Sequence, residues 1–220
     1  MNDLSAKLAR LSPQQRALLE AQLTKKRANC NRGSIPPRPT RGPAPLSFTQ
    51  RRLCFVQSVR PENSAYIMAT VLRIHGPLDS AAMVRAFASL TARHESLRTS
   101  FQLSDDGDPQ QIVNQHAPAL NEIHLADQDD PLAAAESQLE SLSTQPYDLT
   151  KVPVRPCLFR LAKEDHILAI GLHHILADRW AMSIMVRELS VLYLSDVKGV
   201  SAPLNPPMLQ LADFAHWQTT

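Results

Sequence analysis

The spacing of apolar residues predicts a short leading helix followed by a mixed α/β body. Residues 13–26 suit a helix, because Ser12 and Pro13 are a typical N-cap and first-turn pair and three leucines then share one face. The body begins near Leu46 and alternates between helical and extended periodicity. Helices are predicted at 48–58, from Asp79 through Leu90, at 131–143, 179–194 and 209–218, and strands at 65–75, 97–103, 110–113, 155–161 and 166–174.

One extended segment indicates where the sheet has its centre. Residues 167–172 are apolar at every position, whereas a strand with one face in water alternates between apolar and polar residues. Such a strand is covered above and below, so it belongs in the middle of a sheet. Strands mixed with helices in this order predict an α/β fold, a two-layer sandwich with a mixed sheet.

The first 45 residues differ in composition from the body. They contain nine Lys or Arg residues against two acidic ones, and five prolines fall within residues 36–45. This composition predicts a helical leader at 1–27, an exposed Pro/Arg-rich linker at 28–45 and a globular domain at 46–220. A basic leader also occurs in nucleic-acid-binding proteins, but no aromatic stacking platform accompanies it here, so nucleic acid is not the predicted partner.

The remaining composition favours an ordinary cytoplasmic protein. Apolar residues make up 44% of the chain and charged residues 20%, which excludes wholesale disorder. No apolar run approaches about eighteen residues, so no membrane-spanning helix is predicted, and the first residues lack the apolar centre of a secretory signal. Three scattered cysteines make neither a disulfide framework nor a C-x-x-C metal site.

Candidate chemistry is concentrated at the end of the predicted central strand. His173 and His174 stand there, and Asp178 follows at the start of the next helix. Neighbouring strand residues face opposite sides, so only one histidine can line a given cavity. The pattern fits a general base or transition-state stabiliser. It also fits an Asp helix cap beside a core histidine, and less well a metal site, because neighbouring side chains diverge.

Four segments together resemble the condensation domains of nonribosomal peptide synthetases. The first is His173-His174-x-x-x-Asp178, followed by Trp180. Residues 47–55 (SFTQRRLCF) resemble the family's opening motif through Ser47, Gln50 and Arg52. Residues 93–101 (RHESLRTSF) resemble its second motif through Arg93 and Arg98. Residues 212–218 (ADFAHWQ) resemble its fourth motif.

The resemblance implies a chloramphenicol acetyltransferase-like lobe that takes part in amide-bond formation. In such domains a thioester donor and an amine acceptor arrive on the phosphopantetheine arms of upstream and downstream peptidyl carrier domains, and the domain itself binds no cofactor or metal. His174 is expected to contact the acceptor amine, as base or as positioning group, and to face an open side, while His173 packs inward. His173 and Asp178 organise the motif, and Arg98 is the expected ion-pair partner of Asp178.

The resemblance also implies that this chain is a leader plus the first of two lobes. A second lobe carrying the later motifs and an adjacent adenylation domain are expected partners, and the isolated lobe is expected to be inactive. Two departures leave other functions open, since Arg179 replaces the usual glycine after the motif aspartate and Cys54 stands where tryptophan is common. The alternatives are a degenerate, non-catalytic docking or scaffold piece of a synthetase, and an epimerization-type relative.

Overall fold

The computed structural model of the protein describes residues 35–220, so the helix predicted at 13–26 and the first part of the linker lie outside the described residues. The helices are α1 (Phe48–Val59), α2 (Ser80–Arg93), α3 (Pro131–Thr144), α4 (Arg179–Val197) and α5 (Leu211–Thr219), with one turn of 3-10 helix at Glu95–Arg98. The strands are β1 (Ala44–Pro45), β2 (Ile67–His75), β3 (Thr99–Leu103), β4 (Pro109–Val113), β5 (Asn121–His124), β6 (Val154–Ala162) and β7 (Asp165–His173).

The main sheet is mixed, with the strand order β2-β7-β6-β5. β7 pairs antiparallel with β2 on one side and with β6 on the other, and β5 joins β6 in parallel. The strand that contains the apolar run 167–172 is therefore an inner strand, as predicted, and its residues are buried on both faces. A smaller antiparallel sheet has the order β1-β4-β3.

Helices cover both faces of the main sheet. On one face, Leu168, Ile170 and Leu172 of β7 belong to the same apolar cluster as the buried residues of α2 and α4. On the other face, Ile167 and Ala169 pack in a second cluster with α3. This packing confirms the predicted α/β fold with a mixed sheet. No helix within residues 35–220 is both long and apolar enough to cross a bilayer.

Local capping chemistry explains where the helices begin. Asp79 accepts a hydrogen bond from the Ala82 N–H and caps α2, as predicted, and Asp130 caps α3 in the same way. Ser47 caps α1 and forms a reciprocal capping box with Gln50. These side chains satisfy backbone N–H groups that have no partner within the helix.

The prediction that residues 28–45 form an exposed linker outside the core is wrong for its second half. The Arg38 side chain is only 3% exposed, and its two terminal nitrogens lie 2.9 Å from carboxylate oxygens of Glu95 and Asp213. Ala44 and Pro45 then form β1 on β4, and the compact body begins at Pro37 rather than at residue 46. The composition indicated a linker because prolines and arginines are usually solvated, but proline is tolerated on an edge strand and a buried arginine is tolerated when carboxylates neutralise it.

Candidate active site

The turn between β7 and α4 holds both candidate histidines. His173 is the last residue of β7 and is fully buried, whereas the next residue, His174, is exposed. The strand alternation that places one ring inward and the other outward is therefore confirmed. The open ring is that of His174.

Backbone hydrogen bonds fix the position of His174. Its N–H donates to the Tyr66 carbonyl at 2.8 Å, which ties the turn to the residue just before β2. Its ring Nδ1 lies 2.7 Å from the carbonyl oxygen of Ala177. Since a carbonyl oxygen can only accept, we assign the ring proton to Nδ1, which leaves Nε2 as the acceptor, and Nε2 has no hydrogen-bond partner within residues 35–220. His174 thus offers a positioned base or hydrogen-bond acceptor to the open side of the turn.

His173 supports the turn from inside. Its Nδ1 accepts a hydrogen bond from the Ile175 N–H at 3.1 Å, and its carbonyl accepts from the Leu176 N–H. Its ring lies 6.1 Å from that of Tyr66 and 6.4 Å from that of Tyr147, measured between centroids. Burial, together with the nearby charge of His174, lowers the pKa of His173 to about 4. The buried ring is therefore neutral at pH 7 and acts as a support for the backbone of the turn.

Tyr147 is a contributor to this site that the sequence reasoning missed. Its hydroxyl is buried, has no hydrogen-bond partner among the described residues, and burial raises its pKa to about 12. The hydroxyl lies over Gly171, where an added Cβ would come within 2.9 Å of it. A glycine inside an otherwise apolar central strand was the available signal, since such a glycine often marks a close approach by another group.

The burial of His173 predicts a pH dependence of stability. The pKa of His173 is about 4 in the folded protein and 6.5 for an ordinary histidine, so the unfolded chain binds more protons between these values and stability is lost as the pH falls through that window. We expect this group to reduce the free energy of unfolding by about 2 kcal/mol between pH 7 and pH 5. Urea unfolding at both pH values measures it. His173→Asn is the control, because it keeps an acceptor for Ile175 but does not titrate. An equal pH dependence in both proteins would contradict the assignment.

The predicted ion pair between Asp178 and Arg98 is wrong. Asp178 is exposed and accepts a hydrogen bond from the Ala181 N–H at 2.8 Å, which makes it the N-cap of α4. Arg98 instead donates to the Asn114 carbonyl at 2.6 Å. No salt bridge within 4.0 Å joins these two described residues. A carboxylate at this position satisfies an unpaired N–H at the helix start, and this local interaction takes the place of the distant one.

The other charges of the second motif connect elements of the fold. The Arg93 Nε lies 2.7 Å from Glu188 of α4, and Arg93 also donates to the Asn205 carbonyl. The His94 Nε2 lies 2.7 Å from the same Glu188 oxygen. Burial raises the pKa of Glu188, but the hydrogen bonds and charges of Arg93 and His94 outweigh it and hold that pKa below its ordinary value. Arg93 is thus a bridge between α2 and α4 and not a solvated surface arginine.

The opening motif reaches the histidine turn through one side chain. The Gln50 amide nitrogen lies 3.5 Å from the Ile175 carbonyl, while its oxygen accepts from the Ser47 N–H. Arg52 is exposed, and so is Trp180, whose side chain is 76% accessible at the start of α4. The structure therefore brings Gln50 to the turn but leaves Arg52 and Trp180 facing outward.

A groove runs beside the turn, between the edge strand β2 and α4. Its volume is about 620 Å³, and it is lined by Ile67, Met68, Ala69, Thr70, Arg179, Met182, Ser183 and Val186. It begins at Ile67, next to the residue that holds His174 in place. Across the described part of the chain, no group of three His, Cys, Asp or Glu side chains is arranged to hold a metal ion.

Comparison with known proteins identifies the family. The model of the condensation domain family matches residues 40–220. Phosphinothricin tripeptide synthetase PhsC of Streptomyces viridochromogenes is 40% identical over 223 residues, which cover 99% of this chain and 20% of that protein. Nonribosomal peptide synthetase penN of Penicillium thymicola is 34% identical over 188 residues, which cover 84% of this chain and 7% of that protein. The chain therefore belongs to the condensation domain family.

Solved structures agree on the fold. The starter condensation domain of rhizomide synthetase RzmA superposes with a TM-score of 0.71 at 23% identity, over 76% of this chain and 41% of that one. The X-domain in its complex with OxyB from teicoplanin biosynthesis gives a TM-score of 0.69 at 30% identity, over 84% of this chain and 41% of that one. The chain thus spans about two fifths of each solved structure and a fifth or less of the two synthetases.

Proposed function

We propose that this chain takes part in forming an amide bond between two carrier-bound substrates in nonribosomal peptide synthesis. The observation that carries the proposal is the placement of His174, whose Nε2 is free and open at a turn held by backbone hydrogen bonds. Support also comes from the kinship with peptide synthetases. The proposed partners are an upstream and a downstream peptidyl carrier domain with their phosphopantetheine arms, and an adjacent adenylation domain. We propose the cytoplasm as the site of action.

The proposed reaction needs one proton acceptor or one positioning group. The amine of the acceptor attacks the thioester carbonyl of the donor, a C–N bond forms, and the C–S bond breaks as the thiol leaves. His174 Nε2 either accepts the proton of the attacking amine or accepts a hydrogen bond that orients it. Holding both reactants in place makes the step effectively unimolecular, which contributes much of the rate. His173 and Tyr147 contribute by holding the turn.

We further propose that a second lobe is needed to complete the site. The support is that the chain spans only about two fifths of the solved structures with the same fold, and that His174 is open to solvent on this lobe alone. An open site loses the water exclusion and the substrate positioning on which the rate depends. The active unit is then this lobe joined to a second one.

The test compares this chain alone with the same chain fused to a second condensation lobe. Donor and acceptor carrier domains are loaded with amino acids, and dipeptidyl transfer is followed by mass spectrometry of the acceptor carrier. We expect transfer only with the fused protein. Transfer by the 220-residue chain alone, abolished by His174→Ala, would overturn the proposed need for a second lobe. No transfer by either protein would overturn the catalytic function.

A non-catalytic docking role is the second candidate, and one observation favours it. The X-domain that this chain resembles was solved in a complex with another protein, OxyB. If the fused protein binds carrier domains but transfers nothing, the docking role replaces the catalytic one.

A further inference from the structure

The groove between β2 and α4 is uncharged except for one side chain. Apart from Arg179, its lining consists of five apolar residues together with Thr70 and Ser183. Its volume of about 620 Å³ lies within the range of about 300–1,000 Å³ that is typical of small-molecule sites. Few protein groups in the lining of this groove can therefore compete with a ligand for contact with the charged side chain.

The guanidinium of Arg179 is available to a ligand. Within residues 35–220 it takes part in no ion pair and donates no hydrogen bond, and only its backbone carbonyl is used, as acceptor for the Ser183 hydroxyl. Arg93 on α2, by contrast, is occupied by Glu188 and Asn205. Asp178, which precedes Arg179 in the sequence, uses a carboxylate oxygen to cap α4.

The groove and the turn that carries His174 are both bordered by the start of β2 and the start of α4. Tyr66 holds the backbone of His174, and the next residue, Ile67, begins the groove and pairs in register with His173. Arg179 is the first residue of α4, immediately after the histidine turn. The groove and the guanidinium therefore both adjoin the turn that carries His174.

We propose that Arg179 selects a substrate with a carboxylate side chain, such as an aspartyl or glutamyl group, which lies in the β2/α4 groove. This inference rests on the proposed function, since it takes the groove to hold part of the substrate of His174. The planar guanidinium matches a carboxylate with two parallel hydrogen bonds. A glycine at this position provides no such contact. The arginine is thus a specificity determinant and not an obstruction.

Solvent limits the size of the effect. Arg179 is exposed at the mouth of the groove, so its attraction for a carboxylate is partly screened by water and salt. We expect a preference of up to about fivefold for the charged side chain over its neutral isostere. The preference should shrink as the salt concentration rises.

The experiment measures binding of two matched probes to the full 220-residue chain. The probes are the pantetheine amides of aspartate and asparagine, which differ only in the charge of the side chain and cannot react. Titration calorimetry gives both dissociation constants for the wild type and for Arg179→Ala, Arg179→Lys and Arg187→Ala. Arg187 is an exposed arginine on the same helix that does not line the groove, and it serves as the control.

The expected result is an aspartyl preference of up to about fivefold in the wild type and in Arg187→Ala, lost in Arg179→Ala and partly kept in Arg179→Lys. Equal binding of the two probes by the wild type, or an unchanged preference in Arg179→Ala, would overturn the inference. Absence of binding by both probes would overturn it too. The binding result and the transfer assay can disagree. A fused protein that transfers neutral and acidic amino acids equally well would keep the proposed catalytic function, and only the selective role of Arg179 would be overturned.

Discussion

Replacing Arg38 with methionine should reduce the free energy of unfolding by about 3 kcal/mol. Arg38 is buried between Glu95 and Asp213, and its backbone N–H donates to Asp213 as well. Methionine fills a similar volume but leaves two buried carboxylates without their shared cation. Burial raises the pKa of Asp213, yet hydrogen bonds from Gln210 and Arg38 and the charge of Arg38 keep it below its ordinary value, which shows how much this carboxylate depends on its partners.

Arg41 provides a matched control for this prediction. It contacts the other oxygen of Glu95 at 2.7 Å, but its side chain is 72% exposed, so Arg41→Met should cost less than about 1 kcal/mol. Urea unfolding of both variants measures the difference, and limited trypsin digestion of Arg38→Met should show faster cleavage at Arg41. If both variants lose the same free energy of unfolding, the burial of Arg38 does not increase its contribution to stability.

Replacing His174 with alanine should lower the rate of dipeptidyl transfer by about 10²–10⁴-fold in a protein that contains both lobes. The reason is that Nε2 of His174 is the free acceptor at the open side of the turn, and alanine has no group to replace it. Stability should change by less than about 0.5 kcal/mol, because the ring is exposed. Mass spectrometry of the loaded acceptor carrier gives the rate.

Asp178→Asn is the control for the role of His174. Asparagine also caps helices, so α4 should keep its start, and transfer should fall far less than in His174→Ala. If Asp178→Asn abolishes transfer to the same extent, the aspartate acts through its charge and not through the cap alone. A His174→Ala protein that transfers at the normal rate would assign the chemistry to another residue.

Most regular elements of the fold were predictable because their patterns are local. The helix that follows Asp79 and the hairpin of β6 and β7 have clear periodicity and clear caps, and the apolar run 167–172 identified the inner strand. β5 was missed because it has four residues, none of them buried. β1 was missed because it has two residues and one is proline. Such short strands form because they pair with a neighbouring strand, and the local sequence does not indicate which strand that is.

In the candidate site, too, the features set by the local sequence were predictable, whereas those that depend on distant residues were not. The opposite orientations of His173 and His174 follow from the alternation of a strand, which is a local property. The partners of Arg38 are not local, since they depend on which charged groups the fold brings near, and the distant partner predicted for Asp178 is replaced by a local helix cap. Arg38 and Asp213 are far apart in the chain, and nothing in a proline-rich segment indicates that one of its arginines is buried. Predictions of charge pairs from motifs alone therefore failed where predictions of orientation succeeded.

The pairing of β2 with β7 has a consequence for how the chain is made. Ile67–His75 pairs with Asp165–His173, so β2 leaves the ribosome about ninety residues before its partner, a wait of roughly 5–20 s at ordinary rates of synthesis. During that time the elements between them are synthesised one after another, and the sheet lacks the inner strand that joins β2 to β6. Since β7 ends at His173, the histidine turn is assembled in the same event that closes the sheet. A chain that stops before residue 165 would lack the inner strand of its main sheet and would remain a target for chaperones and proteases.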